Sequence, residues 1–546
     1  PLNTLAWVTA STNYMALGYE STALRATVAA RRLGVTDGGA LSAMGINFMR
    51  VGRHDEAIKC LEDALSAEPG LHRTVVELLH TTNAVADWRN YQSVLERVKS
   101  GTQQQIAKGH FTELQPFDAL ALPLDSKMLL EIAKGYALDA MHNTDQSMAF
   151  RHLPQEPYLL PDGRIHIGYV SADWTDKSAV GRALRAGFEH HNRGRVLVTC
   201  YILRNQKAVH DRAAKGILSS IVERAIPLDQ VTDLGAAQTI NEDKVHILAN
   251  LNGYTSSART ELFAYQPAPV QILLQGFAGT SGAPFLQYNL VDQVQSPPEH
   301  SGFYTEKLQI LPVSAFRGEG SGHERVLSGA EKELARKSIR LPPQSFVAAN
   351  LNRPFKLEPT IFESWMSILN RTSEAYIWMF NWPEAVTARR HLRRAAGREL
   401  SKRLIFTDLL PLDQRITGKT VADLFLDTPE YNAHGTATEV LSAGVPVLTL
   451  PGPKAHSSRV AASVVLALEM PELVARTRDE YENIAVQMIQ NPKITARIRQ
   501  KLETSRVKST LFDKKWWASV LERSFFQIWE LWCAGESPRH TVTARL

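Results

Sequence analysis

The run Asn432-Ala433-His434-Gly435-Thr436-Ala437-Thr438-Glu439 sets small and hydroxylated residues between an apolar stretch ending at Asp427-Thr428-Pro429 and a segment of helical spacing. A strand, a turn and a helix opening near Thr436 would aim backbone N–H groups and the positive end of a helix dipole at an anion, and a pyrophosphate suits such a site. Helix capping alone also explains Gly and Thr there. A second candidate is Leu351-Asn352-Arg353-Pro354-Phe355-Lys356, at the predicted carboxyl end of another apolar strand. A lysine there can neutralise charge building on a departing diphosphate, although a solvated lysine after a strand is the commoner case. The third candidate is Asp243-Lys244-Val245-His246, which leads into the apolar Ile247–Leu251 and then Asn252-Gly253-Tyr254-Thr255. His246 falls inside the predicted strand, where a histidine more often completes a core than carries a reaction. No D-x-D triplet occurs and no histidines stand at ligand spacing, so no metal site is indicated. Lysine, arginine and helix N-termini would then have to stabilise any leaving group.

These residues need a frame. Short apolar runs at 165–171, 196–203, 245–251, 270–277 and 288–292 alternate with helical patterns, and a second series follows at 346–352, 376–380, 404–407, 423–427 and 446–450. Near-continuous apolar strands separated by helices predict parallel sheets covered on both faces. Two doubly wound sheets in succession make a cleft, and ligands in such sheets lie beyond the carboxyl ends of the strands. The stretch from 316 to 345, with Gly318, Gly320, Gly322 and Pro342-Pro343, joins the two series. The first 70 residues repeat with a period of 34, the length of a tetratricopeptide unit: Trp7 answers to Leu41, Tyr14 to Phe48, Ala23 to Ala57 and Ala30 to Ala64. Gly45 supplies the small residue where paired helices approach. Residues 71–160 read as a helical linker, and Trp516–Trp532 as a closing helix that packs on the rest of the chain.

Composition narrows the class. The 546 residues are 44% apolar and 21% charged, enough for about three folding units. Sixty-one Lys and Arg against 56 Asp and Glu leave +5, which reads as spread along the chain and argues for neither nucleic acid nor a membrane. Three cysteines without C-x-x-C spacing fit a reducing compartment. No apolar stretch is long enough to span a bilayer, and no signal segment opens the chain. It begins at Pro1, not Met, which reads as part of a longer protein with further repeats.

Several longer motifs resemble the O-GlcNAc transferase family: Gly168-Tyr169-Val170-Ser171-Ala172-Asp173, Asn252-Gly253-Tyr254-Thr255, Gln266-Pro267-Ala268-Pro269-Val270-Gln271, Gly279-Thr280-Ser281-Gly282-Ala283, Thr305-Glu306-Lys307-Leu308, Leu426-Asp427-Thr428-Pro429 and Ser458-Arg459-Val460-Ala461-Ala462-Ser463. The resemblance runs from the repeats to about residue 535. It implies an α/β GT-B fold of two Rossmann-like domains after an all-α tetratricopeptide segment. The expected boundaries are 1–70 for repeats, 71–160 for linker, 161–330 for the first catalytic domain and 331–546 for the nucleotide-sugar domain with the final helix. It also implies inverting, metal-independent transfer of GlcNAc from UDP-GlcNAc to Ser or Thr of cytoplasmic or nuclear proteins, with no further cofactor, nucleic acid or membrane. The oligomeric state stays open.

By the same resemblance, Lys356 holds the diphosphate and Arg353 stands where the family has glutamine. His434-Gly435-Thr436 matches a phosphate-binding H-T-T triplet, and Glu439 replaces an aspartate that bonds the ribose. In Leu410-Pro411-Leu412-Asp413-Gln414-Arg415 the Leu410 backbone should read uracil, while Leu412 replaces a lysine and Arg415 a histidine near the base. His246 and Asp243 match the family's histidine and a proposed proton-accepting aspartate. Lys177 stands where the family has a histidine at the sugar end of the cleft; with an ordinary pKa of about 10.4, a lysine is a poor general base but can hold a hydroxyl or phosphate. Two alternatives remain open at this point: fucose transfer from GDP-fucose, as in plant relatives, and a non-catalytic nucleotide-sugar-binding scaffold.

Overall fold

The computed structural model of the chain describes residues 2–154, 160–174, 178–204, 222–383, 385–454 and 456–544. They fall into two compact units, one of residues 1–114 with 336–411 and the other of 115–335 with 412–546.

The first unit opens with three helix pairs: Leu2–Ala16 with Glu20–Arg32, Gly38–Arg50 with His54–Ala67, and His72–Ala84 with Tyr91–Ala107. Of the period-34 positions Ala23, Ala30, Leu41, Phe48, Ala57 and Ala64 are buried, whereas Trp7 and Tyr14 are 41% and 39% exposed; Ala30, Phe48 and Ala57 pack with Val8, Met44 and Cys60. A Cβ at Gly45 would lie 2.7 Å from the Leu61 side chain, which is why the crossing of the second pair requires glycine. The third pair lies where the sequence predicts linker. Its apolar spacing is helical, but no Trp7 or Tyr14 counterpart marks it as a repeat. In the same unit β8 (Phe346–Ala349), β9 (Ala375–Phe380) and β10 (Leu404–Thr407) form a parallel ribbon in the order β8-β9-β10. Its helices Pro359–Asn370 and Ala385–Leu400 dock on the repeats: Phe362 packs 5.3 Å from Trp88, and the buried His391 ring bonds through Nδ1 to the Val85 carbonyl at 3.0 Å.

The second unit is built on an eight-stranded sheet. Its strands are β1 (Ile165–Ser171), β2 (Val196–Ile202), β3 (Arg224–Pro227), β4 (Ile247–Asn250), β5 (Val270–Leu274), β6 (Tyr288–Asp292), β7 (Lys307–Leu311) and β13 (Thr541–Val542). The order is β13-β7-β6-β5-β4-β1-β2-β3, and every pairing is parallel. The chain leaves β1 for β2 and β3 on one side, then returns to β4 on the other. This makes the β1/β4 boundary the switch point, with a crevice at its carboxyl end. The sequence reading locates five of these strands and misses β3, β7 and β13, which carry Arg, Lys, Gln or Thr in place of a continuous apolar run. A parallel pair, β11 (Leu424–Leu426) and β12 (Val447–Leu448), lies in the same unit.

The closing helix, Lys514–Cys533, covers the first sheet: Trp517, Leu521, Phe525, Ile528 and Trp529 pack with Ile167, Tyr169, Ile247 and Ile272. Glu522 is buried there as well and binds His191 Nδ1 at 2.9 Å. The expected boundary at 330 therefore does not describe the compact units. Residues 336–411 pack with the repeats, and the C-terminal helix belongs with the first sheet because its apolar face matches β1 and β4. The helix Ser126–His142, expected as linker, also packs in this unit, where Tyr254 Oη donates to the Ser281 carbonyl at 2.5 Å beside it.

Candidate functional site

The loop after β11 is fixed from beneath. Asp427, fully buried, accepts from the Ala433 amide at 2.7 Å and from Thr449 Oγ1 at 2.8 Å. Thr428 Oγ1 donates to the Tyr431 carbonyl and Asn432 Nδ2 to the Thr428 carbonyl, at 2.8 and 2.7 Å. The apparent string of small polar residues is thus a set of internal ties that leaves the following helix, Gly435–Ser442, with a defined start. Ala437 and Thr438 bond back to the His434 carbonyl, and the amides of Gly435 and Thr436 precede the first intrahelical bonds. His434 is the N-cap, yet its side chain makes no capping bond. Its ring stacks on Tyr431 at 4.8 Å, and Nε2 lies 3.2 Å from the Ser457 carbonyl. A carbonyl only accepts, so the proton sits on Nε2. Beneath the loop the buried ammonium of Lys454 donates to the Leu120 and Leu122 carbonyls and pairs with Glu430, each at 2.8 Å.

One turn into that helix stands a chain of alternating charge. Glu439, its side chain 8% exposed, is bound by Lys419 on one oxygen and by Arg415 at 2.5 Å on the other. Arg415 also reaches Glu319, which in turn accepts from Arg182 Nε at 2.9 Å; Arg182 Nη2 closes the ring at 3.9 Å from Glu439. Three cations and two carboxylates leave one net positive charge beside the open helix start. Burial lowers the Lys419 ammonium below its ordinary value, and the Glu439 carboxylate opposes that shift. Burial likewise lowers Arg415. The glycines of the joining segment explain how Glu319 arrives. A Cβ at Gly318 would sit 1.7 Å from Thr438 Oγ1, so the 316–322 strip lies flat on the helix and presents Glu319 to Arg415. The sequence reading assigned Arg415 and Glu439 but not Lys419, Glu319 or Arg182. The Gly318-x-Gly320-x-Gly322 alternation was the signal available for the second of these.

Lys356 ends the 3-10 turn Pro354–Lys356, beyond the carboxyl end of β8 and half-buried. Arg353 is exposed, with its guanidinium 5.3 Å from the Trp382 ring centroid, and Trp382 Nε1 donates to the Asn352 carbonyl at 2.9 Å. Leu410 and Pro411 close this first unit; Leu412, 58% exposed, opens the next segment of the second. Lys177 lies outside the described residues.

His246 and Asp243 are placed differently from the expectation. Both precede β4 and so lie at the amino end of the sheet, away from the switch-point crevice. His246 is 0% exposed; its Nδ1 accepts from the His166 amide at 2.9 Å and its ring meets Trp529 edge-on at 4.6 Å. Asp243 pairs with Arg224 and accepts from Tyr201 Oη, both at 2.8 Å. The pair completes the core, the commoner role of a histidine in an apolar strand. His246→Ala should therefore lower stability by about 1–3 kcal/mol, the cost of an unpaired buried amide, while turnover per folded molecule stays within about threefold. Urea unfolding beside an assay normalised to folded protein separates the two effects; a collapse of turnover at unchanged stability contradicts the core assignment.

At the carboxyl end of β1 and β4 stand residues the motif reading quoted but did not assign. Asn252 Oδ1 accepts from the Ala172 amide at 2.8 Å, and Asn250 Oδ1 binds the amides of Asn252 and Gly253. Asp173 sits beside them, its carboxyl raised above the ordinary value by burial, against hydrogen bonds from Ser178 and Asn252.

The profile of glycosyl transferase family 41 matches residues 85–334 and 323–521. The chain belongs to that family. A probable UDP-N-acetylglucosamine--peptide N-acetylglucosaminyltransferase SEC of Arabidopsis thaliana is 34% identical to this family 41 chain over 475 residues, 85% of the chain and 47% of the relative. The UDP-N-acetylglucosamine--peptide N-acetylglucosaminyltransferase of Caenorhabditis elegans is 26% identical over 563 residues, 83% of the chain and 48% of the relative. The chain thus spans about half the length of these relatives. A mutant of Thermobaculum terrenum O-GlcNAc transferase superimposes with a TM-score of 0.74 over 98% of both chains at 22% identity. The family 41 chain accordingly has the fold expected from its motifs, two Rossmann-like domains in GT-B arrangement behind a helical-repeat segment.

Proposed function

We propose that the chain transfers N-acetylglucosamine from UDP-GlcNAc to serine or threonine hydroxyls of cytoplasmic or nuclear proteins, by one inverting displacement that needs no metal. The observation that carries this reading is the braced helix start at Gly435 and Thr436 with the cationic ring of Arg415, Lys419 and Arg182 one turn away. In this reading the diphosphate rests on the Gly435 and Thr436 amides, the Thr436 hydroxyl and His434, and Lys356 neutralises the charge that grows on it as the glycosidic bond breaks. The Leu410 and Pro411 backbone reads uracil, with Leu412 and Arg353 along the edges of the base and phosphate sites. Arg415 and Glu439 face the base and ribose; because Glu439 already holds two cations, it offers the ribose a shared carboxylate. The acceptor hydroxyl attacks the anomeric carbon from the face opposite the diphosphate. Its proton passes to a base at the carboxyl edge of the first sheet, where the raised Asp173 carboxyl is better suited to accept it than an ordinary aspartate. The relatives named as peptide N-acetylglucosaminyltransferases support the choice of sugar and acceptor.

The test is intact-mass detection of transfer to a mixed peptide library, with UDP-GlcNAc and GDP-fucose in parallel and excess EDTA in both. The expected product carries one N-acetylhexosamine, formed only from UDP-GlcNAc and at the same rate with EDTA. A product from GDP-fucose alone, or loss of activity in EDTA, overturns the reading. UDP-GlcNAc binding without any transfer would instead support the scaffold alternative.

A further inference from the structure

The helix Ala385–Leu400 and the turn after it, Ser401–Arg403, carry Arg389, Arg390, Arg393, Arg394, Arg398, Lys402 and Arg403 against a single acid, Glu399. That excess of six exceeds the +5 of the entire chain. The positive charge read from the sequence as evenly spread is therefore concentrated on one element, and the remaining residues together are close to neutral.

The helix exposes this charge on one side. At about 100° per residue, Ala388, His391, Leu392 and Ala396 fall on one arc and are buried, whereas Arg390, Arg393 and Arg394 fall on the other and are exposed. Arg390 pairs with Asp55 of the repeats at 2.5 Å, and the Arg393 guanidinium lies 5.5 Å from the Phe406 ring centroid. Arg403 is used internally, donating to the carbonyls that end the helix Pro359–Asn370, and Lys402 pairs with Glu399. Among the described residues no carboxylate pairs with Arg389, Arg393, Arg394 or Arg398. Unpaired arginines held on a rigid face are costly in mutual repulsion, and a carboxylate from outside relieves it.

We propose that the outer face of this helix docks an acidic stretch of a protein partner, rich in Asp or Glu, and that acceptors carrying such a stretch beside the modified hydroxyl are preferred. The preference for acceptors rests on the proposed transferase function; the docking surface does not. The patch favours a short peptide over a nucleic acid for two reasons. It is confined to a helix of about 18 Å that breaks at Gly397 and the short turn carrying Arg398 beyond it, and among the described residues of that stretch none is Phe, Tyr or Trp, while the nearby Phe406 ring is already covered by Arg393.

The experiment measures fluorescence anisotropy of a labelled Asp/Glu-rich peptide and its Asn/Gln counterpart at low and moderate salt, on the full chain and on the Arg389→Glu/Arg394→Glu/Arg398→Glu variant. The acidic peptide should bind about tenfold more tightly than the neutral one at low salt, with most of that gap lost as salt rises. The variant should lose the gap while its melting temperature and its transfer to a neutral acceptor stay at the parental level. Equal affinity for both peptides, or an unchanged gap in the variant, overturns the proposal. Tighter binding of a single-stranded oligonucleotide of equal charge does so as well, assigning the face to nucleic acid. If the parent chain transfers sugar to nothing yet binds the acidic peptide selectively, the docking surface stands and the transferase reading fails.

Discussion

Lys356→Met should cut turnover by about a hundred- to a thousandfold, the loss of roughly 2.7–4 kcal/mol expected when one preorganised charge-stabilising group is removed. The charge on the diphosphate is greatest when the glycosidic bond is largely broken, so the loss should fall on kcat more than on KM. Lys356→Arg keeps the charge but spreads it over a planar fork, and should recover only part of the rate. The side chain is half-buried on a short turn, so neither change should move the unfolding midpoint far. Steady-state kinetics with UDP-GlcNAc and a peptide acceptor decide the matter. Near-normal kcat in the methionine variant removes Lys356 from the reaction and with it the proposed charge balance at the leaving group.

The second large effect concerns folding. Glu439→Ala should destabilise the chain by about 3–5 kcal/mol at neutral pH, because it leaves a buried lysine without its counter-charge. Lys419 is only 3% exposed and, among the described residues, pairs with no acid other than Glu439, whereas Arg415 keeps Glu319. The sign of the pH dependence follows from the ammonium. Burial already lowers its proton affinity in the folded protein, and removing the carboxylate lowers it further. In the unfolded chain the same group stays protonated up to about 10.4. Between the two values the unfolded state binds the extra proton, so stability rises with pH through that window and is lost as pH falls. Urea unfolding at pH 7 and pH 9.5 should show the variant's deficit shrinking at the higher pH. Adding Lys419→Met to Glu439→Ala should recover a large part of the loss, since a methionine in the lysine's place leaves no unpaired buried charge. A deficit that does not change with pH, together with no rescue by methionine, contradicts the buried-lysine account.

Most of the strands legible in the sequence are apolar runs with buried faces. Ile165–Ser171 is read to the residue although it carries His166, which is buried against Thr199 and the Asp243 carbonyl, and Leu404–Thr407 is read from its apolar Leu-Ile-Phe although only Leu404 is fully buried. β7, by contrast, keeps Gln309 in its interior, satisfied by Gln527 and Thr543 from the far end of the chain, and a polar residue with so remote a partner carries no local mark. The site divides the same way. Asp427 through Glu439 could be located because loop, helix start and acid are contiguous. The cations that balance Glu439 come from two separate stretches, Arg182 from one and Arg415 with Lys419 from the other, and only Arg415 lay in a motif of its own. His246 and Asp243 drew attention through the family resemblance. The sequence reading put His246 inside the strand 245–251; β4 starts at Ile247, which sets both residues before it.

The helix Lys514–Cys533 covers β1 and β4, and the two-residue strand β13 completes the edge at β7. A ribosome must therefore deliver the chain through Val542 before the sheet that begins with β1 can bury its face, although β1 emerges several hundred residues sooner. Residues 336–411, in contrast, meet helices synthesised long before them. During synthesis the repeat-bearing unit can close first, and the older sheet waits with apolar surface uncovered, the condition under which nascent chains aggregate or recruit chaperones. Truncation before Lys514 should for that reason uncover β1 and β4, strands synthesised long before the residues removed.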